Sequence, residues 1–213
     1  MPSDLGFTHV YEPAANPRTA RTLLLLHGTG GDENDLIPLG RALAPDANLL
    51  SPRGKVLENG MPRFFRRFAE GVLDVEDLKT RAGELAGFVA AAAEKYGFDP
   101  ANVTALGYSN GANVAVGMLL ERPRVLAGAV LVRAMVPYEP EAPPSEPARA
   151  RVLVLAGRYD PYSRSPQGER LQQILQRAGA AVDLRYAEAG HEISPSDVSA
   201  ARAWLSAALE ARQ

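Results

Sequence analysis

Residues 103–115 read VTALGYSNGANVA, and the character of the chain changes twice within them. Val103–Leu106 is a short apolar run, too brief for a helix and suited to a buried strand. From Ala112 onward the pattern suits a helix. Between the two stands Gly107-Tyr108-Ser109-Asn110-Gly111, the sequence G-x-S-x-G at a strand-to-helix turn. A turn this sharp holds the central serine in a strained backbone region, and glycines two residues to either side let neighbouring backbone pass without a Cβ. The Ser109 hydroxyl is thereby expected above the carboxyl edge of a sheet, at the start of the next helix.

Working outward, further short apolar runs at 22–26 (TLLLL), 47–50, 129–132 and 152–156 read as buried strands. Segments 6–11 and 182–186 alternate more and suit edge strands. Helical patterns fill the gaps at 34–44, 74–96, 110–121, 166–178 and 195–210. In 74–96, Leu78, Leu85, Phe88, Val89 and Ala92 recur at helical spacing. Strand–helix alternation of this kind predicts an α/β fold, a mostly parallel twisted sheet with helices on both faces, as one domain spanning 1–213. Segment 137–147 (PYEPEAPPSEP) holds five prolines and three glutamates. It reads as a stiff solvated connection or a substrate-covering flap, and in either case it is too short for a cap domain.

The 213 residues are 46% hydrophobic and 23% charged, which excludes a disordered or fibrous chain. Charge is nearly balanced, 23 Lys+Arg against 25 Asp+Glu, so there is no basic surplus for nucleic-acid binding. There is no cysteine, which removes disulfides, thiolate metal sites and cysteine nucleophiles together. No metal site and no cofactor are expected. No apolar run approaches the roughly 20 residues of a membrane span, and Met1–Leu5 does not open like a secretory signal. The expectation is a cytoplasmic protein with no membrane partner. Both a monomer and a homo-oligomer are compatible with this composition.

A serine hydroxyl needs a base to take its proton and an acid to orient that base. Of three histidines, His9 falls in an edge strand and His27 begins the glycine-rich loop His27-Gly28-Thr29-Gly30-Gly31, which it would brace. His191 lies in Glu188-Ala189-Gly190-His191-Glu192, just before the helix-start signal Ser194-Pro195, where a base is needed. Asp160, in Gly157-Arg158-Tyr159-Asp160-Pro161, follows the strand at 152–156 and is the candidate acid. Asp183 is a rival but lies inside a strand. Oxyanion donors are expected from the backbone N–H of Asn110 and of Thr29. The glycine-rich loop lacks the spacing of a nucleotide cradle. Arg63-Phe64-Phe65-Arg66-Arg67-Phe68 could meet a carboxylate or aromatic part of a substrate, with Arg66 as the candidate contact and Met135 at the cleft border. Alternatively its aromatics fill core and its arginines pair with Glu70, Asp74 or Glu76.

The stretches at 23–36 (LLLLHGTGGDENDL), 51–71, 106–115 (LGYSNGANVA), 155–161 (LAGRYDP) and 189–194 (AGHEIS) resemble the phospholipase/carboxylesterase family of small, lidless α/β-hydrolases. The order Ser109, Asp160, His191 matches that of the α/β-hydrolase fold. The resemblance implies hydrolysis of carboxylic esters or thioesters by these three residues, with Thr29 and Asn110 as oxyanion donors and without a cofactor. The substrate is expected to be a small ester with a short acyl or an aryl group. Thioester hydrolysis, acyl transfer and a non-catalytic ligand-binding role remain as alternatives.

Overall fold

The computed structural model describes residues 5–142, 144–162 and 166–210, with the side chains of 208–210 excepted. Seven strands form the main sheet: β1 (His9–Glu12), β2 (Thr22–Leu26), β3 (Asn48–Pro52), β8 (Val103–Tyr108), β9 (Gly128–Val132), β10 (Arg151–Gly157) and β11 (Ala181–Ala187). Their spatial order is β1-β3-β2-β8-β9-β10-β11. Only β1 runs antiparallel, against β3, and the rest are parallel. The two segments whose alternation suggested edges, β1 and β11, do lie at the two edges. Their residues are mostly half-buried, where those of β2, β3 and β9 are wholly buried.

Helices α1 (Ile37–Leu43), α2 (Val75–Tyr96), α3 (Asn110–Glu121), α4 (Gln167–Arg177) and α5 (Pro195–Glu210) cover the sheet. Period-two alternation divides the strand residues between two cores. Leu24 and Leu26 of β2 pack with Val152 and Val154 of β10 under α2, α3 and α4. Leu23 and Leu25 pack with Leu153 and Leu155 toward α1 and α5. A strand buried on both faces has no polar side to show, which is why Leu23–Leu26 is apolar throughout.

Helix α2 carries the signals that define it. Asp74 caps it, its side chain accepting the Asp77 N–H, and Gly97 ends it in the left-handed region at φ 73°. Leu78, Leu85, Phe88, Val89 and Ala92 are all buried. Among the described residues, no cap is inserted between β9 and β10, and no helix is long and apolar enough to cross a membrane. Within 137–147, Pro143 lies outside the described residues.

Two small hairpins stand above the carboxyl edge of the sheet: β4 (Val56–Glu58) with β5 (Met61–Arg63), and β6 (Arg67–Ala69) with β7 (Val72–Leu73). Neither is among the strands read from the sequence. A signal exists nevertheless. Asn59 and Gly60 join β4 to β5 with φ 52° and 80°, the paired positive values of a two-residue hairpin turn that Asn-Gly favours.

Candidate active site

The elbow forms as its sequence demands. Ser109 sits at φ 52°, ψ −113°, and its N–H bonds the Val132 carbonyl at 2.9 Å. A Cβ on Gly111 would lie 2.0 Å from the Leu26 carbonyl oxygen, and one on Gly107 2.7 Å from Gly111 O. Only glycine fits at either place, because helix α3 starts against the ends of β2 and β8.

Three side chains remote in sequence meet above this turn. His191 Nε2 lies 2.9 Å from Ser109 Oγ, and His191 Nδ1 lies 2.9 Å from Asp160 Oδ2. Asp160 is fully buried at the end of β10, and its other oxygen accepts the Tyr162 N–H at 2.9 Å. Asp183 is placed elsewhere, within β11, paired with Arg185. Tyr108 donates its hydroxyl to the His191 carbonyl at 3.1 Å, and the Tyr162 ring stands edge-on to the imidazole at 5.4 Å. Burial first raises the Tyr108 pKa, so the phenol stays a donor.

A cleft of about 210 Å³ opens beside Ser109, with Thr29, Asn110 and Met135 on its wall. Among the described residues, neither the Thr29 nor the Asn110 N–H has a protein acceptor. The Thr29 loop is braced by His27, which is buried: its Nδ1 meets Gly28 O at 2.7 Å, and its Nε2 accepts the Gly54 N–H at 3.0 Å. That pairing requires a neutral ring, and burial lowers the His27 pKa in spite of the Gly28 bond and nearby acids. His9 lies apart from the cleft, between Phe7 O and the Tyr96 hydroxyl.

The 63–68 segment divides three ways. Phe64 and Phe65 are core, while Phe68 is 75% exposed. Arg66 does not line the cleft; its guanidinium pairs with Asp74 and Asp77 beside the start of α2. Arg63 and Arg67 line it instead, both paired with Glu58 rather than with the acids suggested by nearness in sequence.

One element of the site has no local signature. Arg133, the residue after β9, is fully buried and forms an ion pair with Asp197 in the first turn of α5. It also donates to the carbonyls of Gly190, Glu192 and Leu155. The two residues flanking His191 are therefore held by one guanidinium. Asp197 is held in turn by Ser194, whose N–H and hydroxyl donate to it. The only sequence hint is a lone arginine at the end of an apolar strand.

A doubly wound parallel sheet with Ser, His and Asp meeting at its carboxyl edge defines an α/β-hydrolase. A family model for Phospholipase/Carboxylesterase matches residues 8–209, and the chain belongs to that family. MhqD of Bacillus subtilis (strain 168), which bears the name of a hydrolase, is 44% identical over 201 residues, 94% of this chain and 98% of that protein. The Bacillus cereus carboxylesterase structure matches with a TM-score of 0.89 at 42% identity, covering 95% of this chain and 94% of that one. A Mesorhizobium loti carboxylesterase matches at 0.86 with 32% identity and 96% coverage of each. The protein is thus a carboxylesterase-type hydrolase.

Proposed function

We propose that the protein cleaves carboxylic esters with a short acyl or aryl group through an acyl-enzyme on Ser109. The reading rests on one observation: the unbroken line Asp160–His191–Ser109, with both spacings at 2.9 Å. Asp160 accepts from Nδ1, which leaves Nε2 free to take the serine proton as Oγ attacks the carbonyl. The N–H groups of Thr29 and Asn110 receive the oxyanion, where preorganised donors contribute most. The imidazolium then protonates the leaving alcohol. In the second half-reaction His191 deprotonates water, which attacks the acyl-enzyme and releases the acid and the serine.

The preference for short or aryl groups follows from the open cleft, whose polar lining offers little apolar wall to a long chain. A buried methylene contributes about 0.8 kcal/mol only when it leaves water fully. Ser109→Ala tests the reading. Turnover of p-nitrophenyl acetate should fall by roughly four orders of magnitude or more with the fold intact. Retention of a tenth of the wild-type rate would remove Ser109 from the mechanism.

A further inference from the structure

Three arginines line the cleft beside Ser109, and they differ in how fully they are engaged. Arg133 uses all five of its N–H bonds on Asp197 and three carbonyls. Arg63 uses Nε on Phe65 O at 3.2 Å, and Nη1 on Thr29 Oγ1 at 2.7 Å and Glu58 Oε2 at 3.1 Å. Arg67 uses only Nε, on the other oxygen of the same Glu58 carboxylate at 2.9 Å. Among the described residues, Nη2 of Arg63 and both terminal nitrogens of Arg67 have no acceptor.

Two guanidiniums therefore share one carboxylate. Burial, and next the Arg67 charge, press Arg63 down from the ordinary guanidinium value, as expected of an under-neutralised pair. Glu70, an acid on the cleft wall, accepts a hydrogen bond from the Tyr162 hydroxyl. The Arg63 side chain is only 3% exposed, so its charge is poorly hydrated. Unengaged guanidinium donors in such a place call for an anion, and their planar fork suits a carboxylate best.

From this arrangement we infer that the physiological ester carries a carboxylate of its own, received by Arg63 and Arg67. Thr29 sets the reach. Its N–H is the oxyanion donor of the reading above, and its hydroxyl accepts from Arg63. The carboxylate subsite and the reacting carbonyl are therefore separated by one residue, which limits the substrate to a short connection between the two groups. A monoester of a short dicarboxylic acid and an acylated hydroxy-acid both fit that description.

The inference rests on Ser109 as nucleophile, so it is tested by binding as well as by turnover. The probes are two pairs that differ in charge but little in shape: monomethyl succinate against methyl levulinate, and 4-acetoxybenzoate against 4-acetoxybenzamide. In the wild type, the anionic member of at least one pair should have a specificity constant 10-fold or more above its neutral partner, carried mainly by KM. Arg67→Met should bring that ratio to within 2-fold of unity. Glu58→Gln, which removes the negative charge that both guanidiniums share, should raise it, an effect of opposite sign that a merely structural pair would not give. Titration calorimetry on Ser109→Ala reads the same discrimination without chemistry. Equal affinity for both members of each pair there overturns the carboxylate subsite, whatever the turnover. Discrimination in binding with no turnover by the wild type would leave the subsite standing and bring down the nucleophile.

Discussion

Arg133 and Asp197 form a fully enclosed ion pair, Nη2 to Oδ2 at 2.6 Å, that joins the end of β9 to the start of α5 across the loop bearing His191. Because the same guanidinium holds the Gly190 and Glu192 carbonyls, the pair and the imidazole position are mechanically linked. Arg133→Met leaves a buried carboxylate uncompensated and should cost about 3–5 kcal/mol, read from the urea midpoint. The double variant Arg133→Met/Asp197→Leu should recover much of that stability. Its kcat should stay low, because the two carbonyls beside His191 still lack their donor. Recovery of kcat together with stability would mean that the clamp serves folding alone.

The same pair makes a statement about pH. Burial alone would raise the Asp197 carboxyl, but hydrogen bonds from Arg133 and Ser194 and the Arg133 charge outweigh it and hold the pKa below the ordinary value. A depressed carboxyl pKa adds stability that is complete above the unfolded-state value, near pH 4, and is lost as pH falls through the folded value. Asp197→Asn should therefore be less stable than the wild type at pH 7, and the gap should close as pH drops below about 4. Denaturant midpoints measured from pH 7 to pH 2 check this; a gap of constant size would refute it.

The choice of acid is open to a paired substitution. Asp160→Asn keeps an acceptor for the Tyr162 N–H but disturbs the histidine tautomer, and kcat should drop by about three to four orders of magnitude. Asp183→Asn, far from the imidazole at the sheet edge, should leave kcat within 2-fold, an order-of-magnitude expectation for an exposed residue. The reverse result would transfer the role to Asp183.

Chain-length preference tests the open cleft. Specificity constants for p-nitrophenyl esters should be highest at short acyl lengths and should not climb toward palmitoyl. A steady climb would mean that the exposed Phe68 and Val72 on the hairpin beside the cleft gather the chain as an apolar wall.

Strands β2, β8, β9 and β10 are legible because burial on both faces leaves short, largely apolar runs, and α2 because its apolar residues recur at helical spacing. Ser109, Asp160 and His191 could be singled out because each follows a strand and each residue type is chemically demanding. The hairpins are too short to show a period, and only Asn59-Gly60 announces one. Without them the faces taken by 63, 66 and 67 cannot be assigned, so the sequence points to Arg66 while Arg63 and Arg67 line the cleft. Arg133 and Asp197 are 64 residues apart, and nothing local marks such a pair.

Intact-mass and peptide analysis after reaction with a fluorophosphonate tests most directly whether Ser109 is the nucleophile. One adduct per chain, located on Ser109 and formed in parallel with loss of esterase activity, is the predicted result. Ser109→Ala should take up none. An adduct on another residue, or full activity in a chain labelled at Ser109, would contradict the proposed mechanism.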